Sequence, residues 1–303
     1  MNTTQHFTSL TNALCSLFGE GTKIKSTRRI SGGDINEAYG LTLEGGKSVF
    51  MKSNTKENLS IFTAEAVGLN AISGTKAINT PHILGVGTDE DRGGYSFLLL
   101  EFISAKIRNA NYWEDFARQL ANMHRAPTAG LVLNGKYGLN CDNYIGRRRQ
   151  VNTEHESWTV FFRDCRLEPQ FKAAARYFEK DDLKRIVSLL DHIDDILVEP
   201  KYPSLLHGDL WAGNVITGND GRAWLIDPAA YVGHAEADIA MTELFGGFPP
   251  VFYDAYKEIT PLQPGYEHRR DIYNLYHLLN HLNMFGRMYL PDVKRIVGRI
   301  DSK

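Results

Sequence analysis

The stretch "LLHGDLWAGNVI", Leu205 to Ile216, places Asp209 and Asn214 on one short segment between two apolar runs. A carboxylate and an amide so arranged offer hard oxygen donors of the kind that hold a divalent cation or orient a hydroxyl. Downstream, the run "AWLIDP" ends in Asp227-Pro228, with the turn signal Asn219-Asp220-Gly221 before it. Two short strands flanking a polar loop fit this pattern, and the remaining chain has to explain why.

Toward the N-terminus, "EAYGLTLEGGKSVFMKS" gives two extended runs around Gly45-Gly46, a hairpin signal, and Lys52 ends the second run. Ahead of it, "SGGDIN" at 31–36 would let backbone approach an anion, because Gly32 and Gly33 lack a Cβ; an ordinary two-glycine turn is the alternative. "LSIFTAEAVGLNAIS" spaces Phe62, Ala66, Leu69 and Ile72 helically and carries Glu65. "TQHFTSLTNALCSLFG" puts Phe7, Leu10, Leu14, Leu17 and Phe18 on one side of a lead-in helix that stops at Gly19, and "GGYSFLLLEFI" is a short apolar strand.

Beyond Ile103 the texture is helical. "NYWEDFARQLANMHR" aligns Trp113, Phe116, Leu120 and Met123, and helical patterns follow over 155–180, 181–198, 236–258 and 266–286. The expected class is α+β: a sheet lobe over 1–103, a linking strand or hinge at Glu101-Phe102-Ile103, and a helical lobe over 104–303.

Composition narrows the function. Of 303 residues, 34 are basic and 36 acidic, so the net charge of -2 supplies no broad field for nucleic acid or an anionic membrane, and an anionic ligand must be held by local groups. Three scattered cysteines argue for free thiols in a reducing compartment, by default the cytoplasm. No apolar run approaches the roughly 18–20 residues of a spanning helix, and the start lacks a signal pattern, so an unprocessed chain away from the membrane is expected.

Taken in chain order, Lys52, Glu65, Asp209, Asn214 and Asp227 match phosphoryl transfer in the protein-kinase-like class. Each alone has a plain alternative, a solvated charge for Lys52 or Glu65 and a turn starter for Asp227. Protein kinases follow the loop histidine with arginine and place a lysine two positions after the aspartate. Gly208 and Trp211 stand there instead, which points to the small-molecule branch and away from control by activation-loop phosphorylation.

Within that branch the chain resembles the fructosamine kinase (ketosamine-3-kinase) family. The resemblance rests on "SGGDINEAY", "FMKS", "AEAVGL", "YGLNCDNYIG", "WTVFFRDCRLEPQ", "HGDLWAGN", "IDPAAYVGHAEADIAMTELFGGF" and "YNLYHLLNHLNMFG", from residue 29 to 286. It implies a two-lobed kinase-like fold and ATP- and Mg²⁺-dependent phosphorylation of the 3-hydroxyl of a ketosamine, a sugar joined to an amine. By position it makes Asp209 the general base, Asn214 and Asp227 the Mg²⁺ ligands, Lys52 the phosphate anchor and Glu65 its partner. Ser31, Gly32 and Gly33 would lie over the phosphates, and Glu101, Phe102 and Ile103 against the adenine. Family members often carry cysteine where this chain has Asp34, so thiol control through that loop is in doubt.

Other residues keep two readings. Trp211 either walls the sugar or amine side of a substrate or packs behind the loop. Asp142 and Asn143 are sugar contacts or a turn signal. Asp238 is expected to accept backbone N–H bonds from the catalytic loop, and His207 to support that loop. His277 and His281 lack the flanking glutamate and third ligand of a zinc site, so packing is expected; Arg147, Arg148 and Arg149 read as a solvated face. Two rival functions remain, a phosphotransferase for an aminoglycoside, choline or another small alcohol, and a nucleotide-binding pseudokinase that regulates a partner.

Overall fold

The computed structural model describes residues 4–31, 35–91, 94–133 and 136–300. They sort into two compact units, Met1–Tyr112 with Val215–Pro228, and Trp113–Asn214 with Ala229–Lys303. The division therefore differs from one drawn at residue 103: the first unit runs on to Tyr112 and takes back the segment that carries Asp227.

The first unit is a six-stranded sheet. In chain order its elements are β1 (His6–Phe7), α1 (Leu10–Phe18), β2 (Ile24–Ile30), β3 (Glu37–Leu43), β4 (Ser48–Thr55), α2 (Leu59–Gly74), β5 (Ile83–Asp89) and β6 (Tyr95–Glu101). The strand order is β1-β5-β6-β4-β3-β2, antiparallel except for the β1/β5 pair. Period-two alternation sends Val49 and Met51 of β4, with Phe97 and Leu99 of β6, into a core under α1. Phe50, Leu98 and Leu100 face the other way and pack with Phe62, Ala66 and Leu69 of α2. Lys52 shares the parity of Phe50, so the register that builds the core also aims the lysine at α2.

Two expectations shift here. Phe7 lies in β1 beside β5, not in the lead-in helix, which begins at Leu10 with Ser9 accepting the Asn12 N–H at 3.0 Å. Strands β2 and β5 had no sequence signal. β2, "IKSTRRI", is exposed over six of its seven residues, and β5 carries Gly85 and Gly87, whose backbone the Phe7 strand approaches so closely that a Cβ would clash.

The small hairpin 215–217/223–225 also belongs to this unit. Leu225 donates its N–H to the Asn79 carbonyl at 2.9 Å, and Asp220 at the turn accepts from the Trp224 indole at 3.0 Å and from the Arg222 N–H at 3.1 Å.

The second unit is helical: α3 (Tyr112–Arg125), α4 (Trp158–Phe162), α5 (Glu168–Ala174), α6 (Lys180–Asp191), α7 (Glu236–Leu244), α8 (Pro250–Ile259), α9 (Tyr266–Phe285) and α10 (Leu290–Ile300). Its core stacks rings, among them Phe116, Phe248 and Phe252 under α3, and Trp158, Phe162 and Tyr273 between α4 and α9. The pattern over 155–180 resolves into α4 and α5 joined by one wide π turn at Arg163–Leu167, and that over 236–258 into α7 and α8, divided at Gly246-Gly247 and Pro249-Pro250. Among the described residues, no helix is long and apolar enough to cross a membrane.

Candidate functional site

In the first unit, Lys52 Nζ donates to Glu65 Oε1 at 2.7 Å and also to Asp227 Oδ1. Glu65 sits on the same stripe of α2 as Phe62 and Ala66, so the helix face that buries the core also delivers the carboxylate. Burial alone would drive the Lys52 ammonium down, but the Asp227 and Glu65 carboxylates outweigh it and hold the amine above its ordinary range. Burial pushes Glu65 up, and the second carboxylate, Asp227, adds to that push while Lys52 opposes it. Lys52 and Glu65 are buried, whereas the Asp227 side chain is 41% exposed. Asp227 adopts φ +56°, a left-handed conformation that aspartate tolerates better than most residues; it turns the chain out of the hairpin and presents the carboxylate to Lys52.

The second unit holds the Asp209 loop. Strand 204–206 pairs antiparallel with 231–233, and the chain then turns through Gly208 at φ +79°. A Cβ on Gly208 would stand 2.1 Å from the Ala229 carbonyl oxygen, so only glycine lets these two backbones meet. Asn214 Nδ2 donates to the Asp209 carbonyl at 2.8 Å and to Asp209 Oδ2 at 3.1 Å. That fixes the amide flip, leaves the Asn214 oxygen as its donor atom toward a cation, and orients the carboxylate.

Asp238, in the first turn of α7, supports this loop from beneath. Its Oδ2 accepts the His207 N–H at 2.7 Å and its Oδ1 the Gly208 N–H at 2.9 Å, as the sequence led us to expect. His124 Nε2 reaches Oδ2 at 3.2 Å, and its Nδ1 lies 2.7 Å from the Tyr256 hydroxyl. Burial would raise the Asp238 carboxyl, yet these donors hold it below the usual range. His207 is fully buried and its Nδ1 accepts the Asp209 N–H at 3.3 Å, which places the ring proton on Nε2 and makes the histidine a brace for the loop.

A buried amide network grips the chain just after Pro228. Gln150 Nε2 donates to the Ala229 carbonyl at 3.0 Å and Asn143 Nδ2 to the Ala230 carbonyl at 2.7 Å, while Ala229 donates to the His207 carbonyl at 2.9 Å. Asn143 Oδ1 accepts from Gln150 and Asn152, and the Tyr276 hydroxyl donates to Gln150 Oε1 at 2.6 Å. Arg166, fully buried, donates to Asn152 Oδ1 at 2.7 Å with its guanidinium 3.9 Å from the Tyr231 ring centroid.

This corrects the expected sugar contact at Asn143: the residue is 3% exposed with its amide engaged at both ends, so it holds backbone. Asp142 likewise accepts from Arg149 Nη2 at 2.6 Å and from the Asn152 N–H at 2.8 Å, a turn-stabilising role. Ser31 is exposed at the end of β2, and the expected phosphate loop at Gly32, Gly33 and Asp34 lies outside the described residues. Glu101 ends β6, donates its N–H to the His82 carbonyl at 2.8 Å, and leads into Phe102 and Ile103, both half-buried, with the Phe102 ring against Gly40. His277 is buried and His281 Nδ1 lies 2.8 Å from the His277 carbonyl, the packing expected of them; no acidic, His and Cys cluster suited to a metal occurs among the described residues.

Sequence reading missed His124, Tyr256, Gln150, Asn152 and Arg166. Each is polar and buried far along the chain from the loop it supports, and nothing local to these residues marks them.

This sheet-and-helix framework is that of the protein-kinase-like phosphotransferases. The profile of the family described as fructosamine kinase matches residues 6–303, and the chain belongs to that family. It is 36% identical to a candidate ketoamine kinase of Synechocystis over 92% of this chain and 91% of that one. It is 37% identical to a chloroplastic protein-ribulosamine 3-kinase of Oryza sativa subsp. indica, covering 92% and 80%. A crystal structure of a candidate fructosamine-3-kinase from Haemophilus somnus superposes with a TM-score of 0.84 at 32% identity, covering 96% of each chain. An aminoglycoside phosphotransferase, at 15% identity and a TM-score of 0.65 over 97% of each chain, shares the fold alone.

Proposed function

We propose that this enzyme transfers the γ-phosphoryl group of ATP to the 3-hydroxyl of a ketosamine, with ribulosyl adducts as the preferred sugar. The observation that carries this reading is the Lys52–Glu65–Asp227 constellation, a buried ammonium clamped by one buried carboxylate and one half-open one. An amine so held stays protonated and immobile, as an anchor for triphosphate oxygens needs to be.

Asp209 accepts the hydroxyl proton and orients the nucleophile; in a loose transition state proton loss is late, so orientation is the larger part of its task. Asn214 constrains the Asp209 carboxylate, and Asp238, His124 and His207 hold the loop. The Asp227 carboxylate and the Asn214 amide oxygen are hard donors of the kind that suits Mg²⁺, a cation that keeps several waters and takes few protein ligands. Mg²⁺, when bound, would neutralise phosphate charge. Trp211, 39% exposed, offers an indole face to the sugar or its amine. The free thiols Cys15, Cys141 and Cys165 support a reducing compartment such as the cytoplasm.

The test is a Mg-ATP assay against ribulosyl-, erythrulosyl- and fructosyl-lysine. Turnover on ribulosyl-lysine is expected; turnover on an aminoglycoside or choline with none on the three ketosamines would replace this reading with the small-alcohol one.

A further inference from the structure

Resting on the proposed function, we propose that a strip of rings on the second unit, Phe245, His281, Phe285 and Tyr289, binds the apolar chain of the amine carrier and so sets which ketosamines are good substrates. The strip begins at the catalytic loop. Trp211, two residues from Asp209, has its ring pinned over Gly213, where a Cβ would stand 2.4 Å from the indole. Its edge meets Phe245 at 6.4 Å between centroids. Phe245 lies 4.9 Å from His281, which lies 5.5 Å from Phe285 and 5.1 Å from Tyr289.

The sequence builds this strip with simple means. His281 and Phe285 are one turn apart at the end of α9, Gly286 stops the helix at φ +93°, and the following turn at Arg287–Tyr289 folds Tyr289 back onto both rings. Phe245 ends α7, just before Gly246 and Gly247 divide it from α8.

Two features fix the chemistry of the occupant. Phe285 at the end of the strip is 40% exposed, and Phe245, His281 and Tyr289 behind it are half-buried, so an apolar ring edge remains open to solvent where water disfavours it. The strip is also uncharged: His281 Nδ1 donates to the His277 carbonyl, and burial lowers the ring's proton affinity, so it is a neutral imidazole at pH 7. An aromatic strip of uncharged rings continuous with the Asp209 loop suits methylenes or an aryl group attached to the sugar's amine, such as a lysine stem, and gives no advantage to a short carrier.

The test uses one sugar on three amines: ribulosyl-methylamine, Nε-ribulosyl-lysine and ribulosyl-phenylethylamine, with wild type, Phe285→Ala and Phe285→Leu. Phe285 is at a helix end and partly exposed, so both variants are expected to fold. Phe285→Ala should lower kcat/KM for the phenylethylamine adduct about tenfold, through KM, while the methylamine adduct changes by less than about twofold. Phe285→Leu, which keeps apolar bulk, should restore much of the loss. Equal losses on the methylamine and phenylethylamine adducts, or no loss on the latter, would overturn the inference while leaving the proposed function standing. Failure of wild type to phosphorylate all three would overturn both.

Discussion

Replacing Asp238 by asparagine tests whether the buried carboxylate positions the catalytic loop or only stabilises the fold. Its two oxygens accept two backbone N–H groups, from His207 and Gly208, in a site that is 1% exposed. Asparagine keeps one oxygen and puts an NH₂ where the other was, so one backbone donor loses its acceptor and faces another donor. A hydrogen bond to a charged acceptor contributes about 1.5–3 kcal/mol and an orphaned buried donor costs about 1–3, which places the loss near 3–5 kcal/mol. Against a total stability of about 5–15 kcal/mol the variant should remain folded at 25 °C, with a lower urea midpoint followed by tryptophan fluorescence. Because Gly208 adjoins Asp209, a shift of about 1 Å at the loop should reduce kcat roughly a hundredfold. KM for ATP should change less than kcat, since Lys52, Glu65 and Asp227 lie on the other unit and only Asn214 shares the shifted loop. Tyr256→Phe, which removes only the outer partner of His124, serves as the control and should cost about 1 kcal/mol with little change in kcat. A folded Asp238→Asn enzyme with wild-type kcat would refute the positioning role.

Other perturbations follow from the same geometry. Glu65→Gln should free one side of Lys52, leaving Asp227 as its charged partner; stability should fall by up to about 3 kcal/mol and kcat/KM for ATP by at least about tenfold, checked by denaturation and initial rates. Gly208→Ala should give little soluble protein, because the new methyl meets the Ala229 carbonyl at a left-handed position; an active, stable variant would contradict the close approach. His234 and His277 are buried bases with proton affinity lowered by burial, to about 4 and about 3. Below about pH 6.5 the unfolded chain binds protons that the folded chain refuses, so stability falls as pH drops, each imidazole contributing about 2 kcal/mol of loss by pH 5. Thermal melts between pH 7 and pH 5 should show that slope, and His277→Gln should flatten it.

What was legible in the sequence depended on whether a residue announced itself locally. The β3/β4 hairpin, α2 with Glu65, and the Asp209/Asn214 and Asp227 segments carried periodicity or turn chemistry, and the structure forms the hairpin, buries Glu65 on α2 and bonds Asn214 to Asp209. β2 was hidden because an edge strand of polar and basic residues has no alternation to read. The break between α4 and α5 was hidden because a π turn preserves near-helical spacing, and Arg166, charged and so expected in solvent, is instead enclosed by rings. Asn143 was misjudged for a related reason: a polar turn residue and a buried amide clamp look the same until the Ala230 carbonyl and the Gln150 and Asn152 amides are brought to it.

The most direct measurement of the proposed chemistry is phosphoryl transfer from Mg-ATP to ribulosyl-lysine by Asp209→Asn beside wild type, with ATP affinity measured on both. The variant is expected to bind ATP as wild type does and to lose about 10²–10⁴ in kcat, the share a positioned base supplies. Undiminished turnover in a folded Asp209→Asn enzyme would show that the proton is taken elsewhere.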